Sequence, residues 1–274
     1  MKYKIHHKTV YRYAEPVRRS VHELRLAPRS GPLQAVQGWQ LSVPGNLSEA
    51  RDGFGNIVHS FTVTGPAHTL VIEAGGVVDV TPPADGDAPL FCDAPPAGEA
   101  RVSPLYYLGS TPLTAAHPEM VRFASPYLAA GREVPALLAL AGGIAERVRY
   151  KADSTDVGTS AREAFGLGSG VCQDQAQVMV ACCRALGIPA RYVSGYFYDP
   201  QASELASHAW ADVCVDADRE LWCSIDVTHA CLSDARHVRL AVGRDYHMAA
   251  PVRGIREGGS GEQLAVEIAI APLQ

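Results

Sequence analysis

A cysteine, a histidine and an aspartate stand in that order in the second half of the chain, each in a setting that suits acyl-transfer chemistry. Cys172 lies in Gly168-Ser169-Gly170-Val171-Cys172-Gln173-Asp174-Gln175, where a glycine-rich turn becomes a helix. A thiol at a helix start feels the positive end of the macrodipole and unpaired backbone N–H groups. Both favour the thiolate, which is the nucleophilic form. His208 follows in Ser207-His208-Ala209-Trp210, and Asp226 in Ser224-Ile225-Asp226-Val227. A nucleophile, a base and an orienting carboxylate need these residue types. Taken singly, each has a plainer reading: a packed cysteine, a hydrogen-bonded strand histidine, a capping aspartate. Order, spacing and a shared strand face together favour catalysis.

The elements that must position these residues can be read around them. The Cys172 helix runs to about Leu186, where Gly187 and then Pro189 stop it. Ala176, Met179, Val180, Cys183 and Leu186 recur at helical spacing as its core face, so Cys182 and Cys183 read as packing residues. Strands are expected at 190–197, 208–215 and 221–227, the last two joined by Asp216-Ala217-Asp218-Arg219-Glu220, a suitable hairpin loop. With the loop centred near Asp218, Asp226 falls opposite Trp210, and even-numbered residues of both strands share a face. His208 and Asp226 are then diagonal neighbours about 7–8 Å apart at the backbone, within hydrogen-bonding reach. The odd positions Ala209, Ala211, Val213 and Val215 make the buried apolar face; the even face carries His208, Trp210, Asp212, Ser224 and Asp226. A one-residue slip would exchange the faces, so burial protects the register. Whether the even face meets Cys172 stays open at this level.

Residues 3–80 read as strands. Tyr3, Ile5, His7, Thr9 and Tyr11 alternate with polar neighbours, Trp39, Leu41 and Val43 do likewise, and Asp52-Gly53-Phe54-Gly55-Asn56 is a tight-turn sequence. Gly75-Gly76 marks a bulge or bend. The spacing suggests an antiparallel sandwich. Residues 81–101 hold Pro82, Pro83, Pro89, Pro95 and Pro96 and read as a linker. Helices are expected at 118–130, broken near Pro126, and at 134–148. The organisation expected is a β domain with its linker over 1–100, a core over 101–250, and a C-terminal loop at 254–261 followed by a last strand.

Of 274 residues 47% are hydrophobic and 19% charged, as in a core-forming globular chain, and the net charge of −5 argues against a nucleic-acid footprint. No apolar run approaches the ~20 residues of a membrane helix, and the first residues lack the apolar stretch of a signal peptide. Seven unevenly spaced cysteines suggest reduced thiols in a cytoplasm. No C-x-x-C pair occurs, so neither a structural metal site nor any cofactor is expected. Gly166-Leu167-Gly168-Ser169-Gly170 lacks the Lys and Ser/Thr of a phosphate loop and fails the G-x-S-x-G hydrolase pattern.

In combination these motifs resemble the bacterial transglutaminase-like family, in the branch with an N-terminal β domain. The resemblance rests on Gly170-Val171-Cys172-Gln173-Asp174, on the run from Arg184 to Tyr196, on Ser207-His208-Ala209-Trp210, on Asp226 with Thr228, and on Val242-Gly243-Arg244-Asp245-Tyr246. Tyr3 to Arg29 and Asp52-Gly53-Phe54-Gly55-Asn56 resemble its leading domain. It implies an α+β chain: an N-terminal antiparallel β-sandwich, then a papain-like core whose cysteine helix packs on an antiparallel sheet. It also implies Cys172 as nucleophile, His208 as base and Asp226 as orienter, in a family of proteases, amidases and acyl transferases. Gln175 and Gln177 stand where relatives often carry Phe and His, and Val227 and His229 where they often carry Pro and Asn; these departures are expected to border the cleft.

The expected reaction passes through a Cys172 thioester, released by water or by an amine, on a peptide, protein or small amide. The Cys172 N–H is the first oxyanion donor expected, with Gln173 and Tyr150 as candidates for the second. Trp210, Tyr196 and Tyr198 are candidates for the acyl groove. Asp174 has two readings, substrate contact or helix cap. Asp245 and Tyr246 match the family pattern without a physical role. The competing classes are an enzyme that only hydrolyses, a scaffold on the same fold, and a metal site formed by Cys172, His208 and Asp226.

Overall fold

A computed structural model describes residues 1–81, 90–93, 102–201 and 207–273. The prolines expected to mark the linker lie outside the described residues. In chain order the elements are β1 (Lys2–Ala27), β2 (Gln34–Ser42), β3 (Ser48–Arg51), β4 (Ile57–Val80), β5 (Phe91–Cys92), α1 (Pro118–Ala124), α2 (Val134–Arg147), β6 (Arg149–Tyr150), α3 (Ala161–Leu167), β7 (Ser169–Gly170) and α4 (Cys172–Ala185). There follow β8 (Ala190–Phe197), β9 (Ser207–Asp216), β10 (Leu221–Asp226), β11 (Cys231–Leu232), β12 (His237–Gly243), α5 (Tyr246–Ala249), β13 (Val252–Gly258) and β14 (Gln263–Leu273). The chain is mixed α+β, with a sheet-rich N-terminal region ahead of a helix-and-sheet core.

The N-terminal strands form one hydrogen-bonded antiparallel sheet, ordered β13-β1-β4-β2, with β14 also on β1 and β3 also on β4. Its spine is the long β1–β4 pair, which changes register around Pro16. There the neighbour of β1 changes too: β14 pairs with Lys2 to Arg12, and β13 with Val17 to Leu24. The loop expected at 254–261 is therefore mostly strand, because the second half of β1 offers a free edge that Val252–Gly258 completes. The irregularity expected at Gly75-Gly76 falls on the facing strand, between Gln37 and Gln40. Asp52 closes the turn into β4, its Oδ1 accepting from the N–H groups of Phe54 (2.9 Å) and Asn56 (3.0 Å).

The second sheet has the order β11-β10-β9-β8-β12, with β5 on β10. The β9–β10 register places Cys223 opposite Val213, Ser224 opposite Asp212 and Ile225 opposite Ala211. This continues to Asp226 opposite Trp210, the pairing expected from the loop centre. Ala211, Val213, Cys223 and Ile225 pack under the helices with Leu137, Leu140, Val178 and Met179. Burying a side chain of this size contributes roughly 1.5–3 kcal/mol. The even face is no more exposed: Trp210, Asp212 and Asp226 are all at 0%. Leu33, Phe91 and Tyr107 pack there on Cys214 and Trp222, and Phe54 packs on Trp210. The alternation of residue types thus marks two buried environments, one apolar and one polar.

The two sheets are joined by shared core. Tyr3, Ile5, Leu70 and Ile72 cluster with Tyr196, Val238 and Leu240. Asn56, buried at 2%, bonds both ways with Val242 of β12, donating to its carbonyl at 2.7 Å and accepting from its N–H at 2.8 Å. Among the described residues no helix is long and apolar enough to cross a membrane.

Candidate active site

Helix α4 begins at Cys172 and ends where Gly187 takes φ +75, a left-handed conformation that glycine adopts without Cβ strain. Its interior side chains, including Cys182 and Cys183, are buried. Asp174 decides how it starts: Oδ2 accepts from the Val171 N–H at 2.8 Å and from the Thr155 hydroxyl at 2.6 Å. A Cβ at Gly170 would stand 2.7 Å from that carboxylate, so the glycine lets the turn close on the cap. Of the two readings of Asp174, the hydrogen bonds match the cap; the side chain is fully buried and is not among the residues that line the cleft. The Cys172 N–H lies in the first turn, where no helix carbonyl is available to it.

The structure brings Cys172 and His208 to the lining of one cleft, with Asp226 directly behind the histidine. His208 Nε2 lies 2.7 Å from Asp226 Oδ2, and Cys172 is near enough to raise the pKa of the imidazole. With Nε2 held by the carboxylate, Nδ1 is the nitrogen left for sulfur. Cys172 packs with Ala176, Tyr192 and Ala209. It reaches His208 because that residue is only the second of β9, at the end of the sheet.

Asp226 has more partners than expected. His229 Nδ1 lies 2.7 Å and His237 Nε2 3.0 Å from the same Oδ2, and the His229 N–H lies 3.2 Å from Oδ1. Asp234 anchors the far side of His237, its N–H 3.0 Å and its Oδ1 3.1 Å from Nδ1. Phe197 packs against all three imidazoles, its ring centroid 5.3 Å from His208, 4.3 Å from His229 and 4.9 Å from His237. Burial alone would raise the Asp226 pKa, but the three imidazole hydrogen bonds outweigh it and hold the carboxyl well below its usual range. At His208 burial pushes downward; the hydrogen bond to Asp226, with the charges of Asp226 and the neighbouring Cys172, reverses this and raises the pKa to about 10. Among the described residues two donor sets that share Asp226 have ligand atoms within 4.8 Å of one another, namely His208–Asp226–His229 and Asp226–Cys231–His237. Such imidazole, carboxylate and thiol donors are of the kinds that bind a borderline divalent ion such as zinc.

Cys172 and His208 open into a cleft of about 370 Å³. Gln173 and Tyr150 both line it. The Gln173 amide reaches the Val157 carbonyl at 3.4 Å, and the Tyr150 hydroxyl pKa is raised by burial and then by the charge of Cys172. Trp210 does not line it. Its ring is fully buried beneath the histidines, 6.1 Å from His208 and 5.3 Å from His237, which corrects the expectation of a groove residue. Tyr196 is likewise fully buried and spends its hydroxyl on His7 Nδ1 at 2.9 Å; Tyr198 packs on Tyr3 at 5.1 Å. Gln175 and Gln177 do not border the cleft: they are buried, donating to the Val148 and Thr159 carbonyls at 2.8 and 3.2 Å. Asp245 caps α5 through the Met248 N–H at 3.1 Å.

Sequence reasoning gave no role to His237, Tyr192 or the strands β1 and β14; it singled out His229 as a cleft-bordering departure and Tyr246 as a family match, without the contact to Asp226 or the place in the cleft lining. The β1 residues carried a signal, since the alternation of His7, Thr9 and Tyr11 puts them on one face. His237 carried none, because β12 had no expected strand to place it beside Asp226.

Comparison with known proteins agrees with this architecture. The family model for the bacterial transglutaminase-like N-terminal region matches residues 3–79, and that for the transglutaminase-like superfamily matches residues 124–227. An uncharacterized protein of Mycobacterium tuberculosis is 35% identical over 276 residues, covering 93% of this chain and 87% of that one. An uncharacterized protein of Mycobacterium leprae is 27% identical, covering 97% of each. A crystal structure of a proposed cysteine protease from Cytophaga hutchinsonii superposes with a TM-score of 0.78 at 21% identity, over 100% of this chain and 91% of that one, so the fold is shared.

Proposed function

This chain belongs to the transglutaminase-like superfamily, and from that premise and the site geometry we propose that it is a cysteine enzyme that cleaves or transfers amide acyl groups. The observation that carries the reading is Cys172 at a helix start, lining the same cleft as His208, whose imidazole is hydrogen-bonded to Asp226. The Cys172 thiolate attacks the amide carbonyl and a C–S bond forms. The C–N bond then breaks as the His208 imidazolium gives its proton to the departing amine. Water or a second amine next attacks the thioester; its proton passes to His208, the C–S bond breaks and the thiolate returns. The oxyanion is met by the Cys172 N–H, with Gln173 or Tyr150 as second donor. Asp226, kept charged by its three imidazoles, orients the His208 ring and stabilises the imidazolium.

The acyl donor is a peptide, protein or small amide, and the acceptor water or an amine. All seven cysteines are free, which favours a reducing, cytoplasmic setting. No cofactor takes part in this scheme. The test is the iodoacetamide labelling rate of Cys172 against pH, followed by peptide mass spectrometry, in the native protein and in His208→Ala. Fast labelling well below the ~8.5 of a free thiol, lost in the variant, is expected, and Cys172→Ala should abolish amide turnover with the fold intact. Slow labelling that is alike in both proteins, or turnover surviving without the thiol, would overturn the reading.

A further inference from the structure

The cleft is not a property of the core alone. The core side supplies Tyr150, Val157, Tyr192 and Tyr246 beside Cys172 and His208. The facing wall comes from the N-terminal sheet: His7, Thr9 and Tyr11 of β1, and Leu264 and Val266 of β14. These are one face of a two-stranded ladder, in which Thr9 pairs with Val266 and Tyr11 with Leu264. Side chains two apart on a strand share a face, so the period that builds the sheet also builds the wall. Leu264 and Val266 are 55% and 50% exposed, so packing among the described residues leaves about half of each apolar side chain uncovered.

The chemistry of the walls is uniform. Among the described residues no Asp, Glu, Lys or Arg lines the cleft. His7 is neutral in character: burial, then the charge of His6, lowers its pKa to about 4. Both its ring nitrogens are engaged within the protein, Nδ1 by Tyr196 at 2.9 Å and Nε2 by Thr9 at 3.0 Å. The Tyr11 hydroxyl is raised to about 12, first by burial, and stays a neutral phenol. Away from the Cys172–His208 pair, a charged group against the β1–β14 wall would lose hydration and find no counter-charge among the described residues, whereas an apolar side chain would gain roughly 25 cal/mol per Å² buried. A volume of about 370 Å³ is in the range of small-ligand sites.

Resting on the reading of Cys172 as the acyl-accepting nucleophile, we propose that the β1–β14 ladder is a specificity wall, and that the acyl donor carries an uncharged, apolar or aromatic side chain beside the amide that reacts. The N-terminal sheet then has a direct part in substrate choice, and the C-terminal strand contributes to it through its pairing with β1.

The experiment uses peptidyl chloromethyl ketones identical except for the side chain next to the reactive group: Phe, Leu, Lys or Glu. Cys172 alkylation by each is divided by the rate with iodoacetamide, in the native chain, Leu264→Asp, Val266→Asp and His208→Ala. The expected result is at least a tenfold preference for Phe and Leu over Lys and Glu, reduced to within about twofold in each Asp variant, the scale on which an apolar pocket discriminates. Equal ratios for all four probes, with fast and His208-dependent iodoacetamide labelling, would overturn the specificity wall and leave the cysteine enzyme standing. Full preference surviving in both Asp variants, each shown folded by circular dichroism, would remove β14 from the wall. Slow iodoacetamide labelling indifferent to His208 would overturn both readings together.

Discussion

Asp212 and Asp226 sit on neighbouring strands, on the same face of the same sheet, and both are fully buried. Their surroundings differ. Asp212 meets Arg191 Nε at 2.8 Å, Arg239 Nη2 at 2.5 Å and the Ser224 hydroxyl at 2.7 Å. Asp226 meets three imidazoles. Burial opposes ionisation at both, and cationic or N–H partners reverse it at both, bringing Asp212 to about 2 and Asp226 lower still. The distinction lies in what the partners can release. An arginine keeps its proton throughout the physiological range, so the Asp212 cluster is a fixed lock. A histidine can give its proton up, so the same packing around Asp226 makes a site through which a proton can move.

Replacing each carboxylate separates the two roles. Asp226→Asn should lower kcat by about 10³-fold or more in the folded protein, on the scale of roughly 10⁴ seen when a triad carboxylate becomes an amide. Its pH profile should move as well. His208 lies at about 10, above its ordinary 6.5, so its stabilising contribution is full below 6.5 and lost as pH rises through about 10. The alkaline limb of kcat, where the imidazolium that protonates the leaving amine disappears, is expected near 10. In Asp226→Asn both the hydrogen bond and the charge that raise His208 are weakened, and the limb should fall to lower pH. An alkaline limb at the same pH in both proteins would mean that Asp226 does not set the ionisation of His208.

Asp212→Ala is expected to do the opposite. It strands Arg239 and leaves Arg191, whose side chain is only 5% exposed, with Asp93 as its remaining carboxylate. Breaking a buried pair from one side costs roughly 3–5 kcal/mol, measurable from urea unfolding. The specific activity of the folded fraction should stay within about threefold. A loss of activity per folded molecule near that of Asp226→Asn would make the two carboxylates one functional unit.

The same contrast explains how much of the site was legible in the sequence. The β9–β10 hairpin was readable because a short polar loop fixes the register, and register decides which residues share a face. The start and stop of α4 were readable because Gly170, Asp174 and Gly187 act within a few residues of themselves. What covers the even face was not, since Phe54, Phe91 and Tyr107 arrive from far along the chain. For that reason Trp210 reads as a groove residue in sequence and is floor in the structure. The pairing of β13 and β14 with β1 was hidden likewise: a strand's own pattern says that it needs a partner, not which one.

The smallest effect is expected at His229. It donates to Asp226 at 2.7 Å, as close as His208, yet its side chain is 38% exposed while that of His237 is 1% exposed. In His229→Ala water can reach the vacated lone pair and replace much of the lost bond, and His208 and His237 still hold the carboxylate. Stability should fall by no more than about 1 kcal/mol, the scale of a hydrogen bond exchanged with solvent. Measured kcat/KM should fall less than about tenfold, with the alkaline limb unmoved. A loss on the scale of Asp226→Asn would mean that exposure does not rank the three imidazoles, and that Asp226 serves the set as a whole, much as Asp212 serves its two arginines.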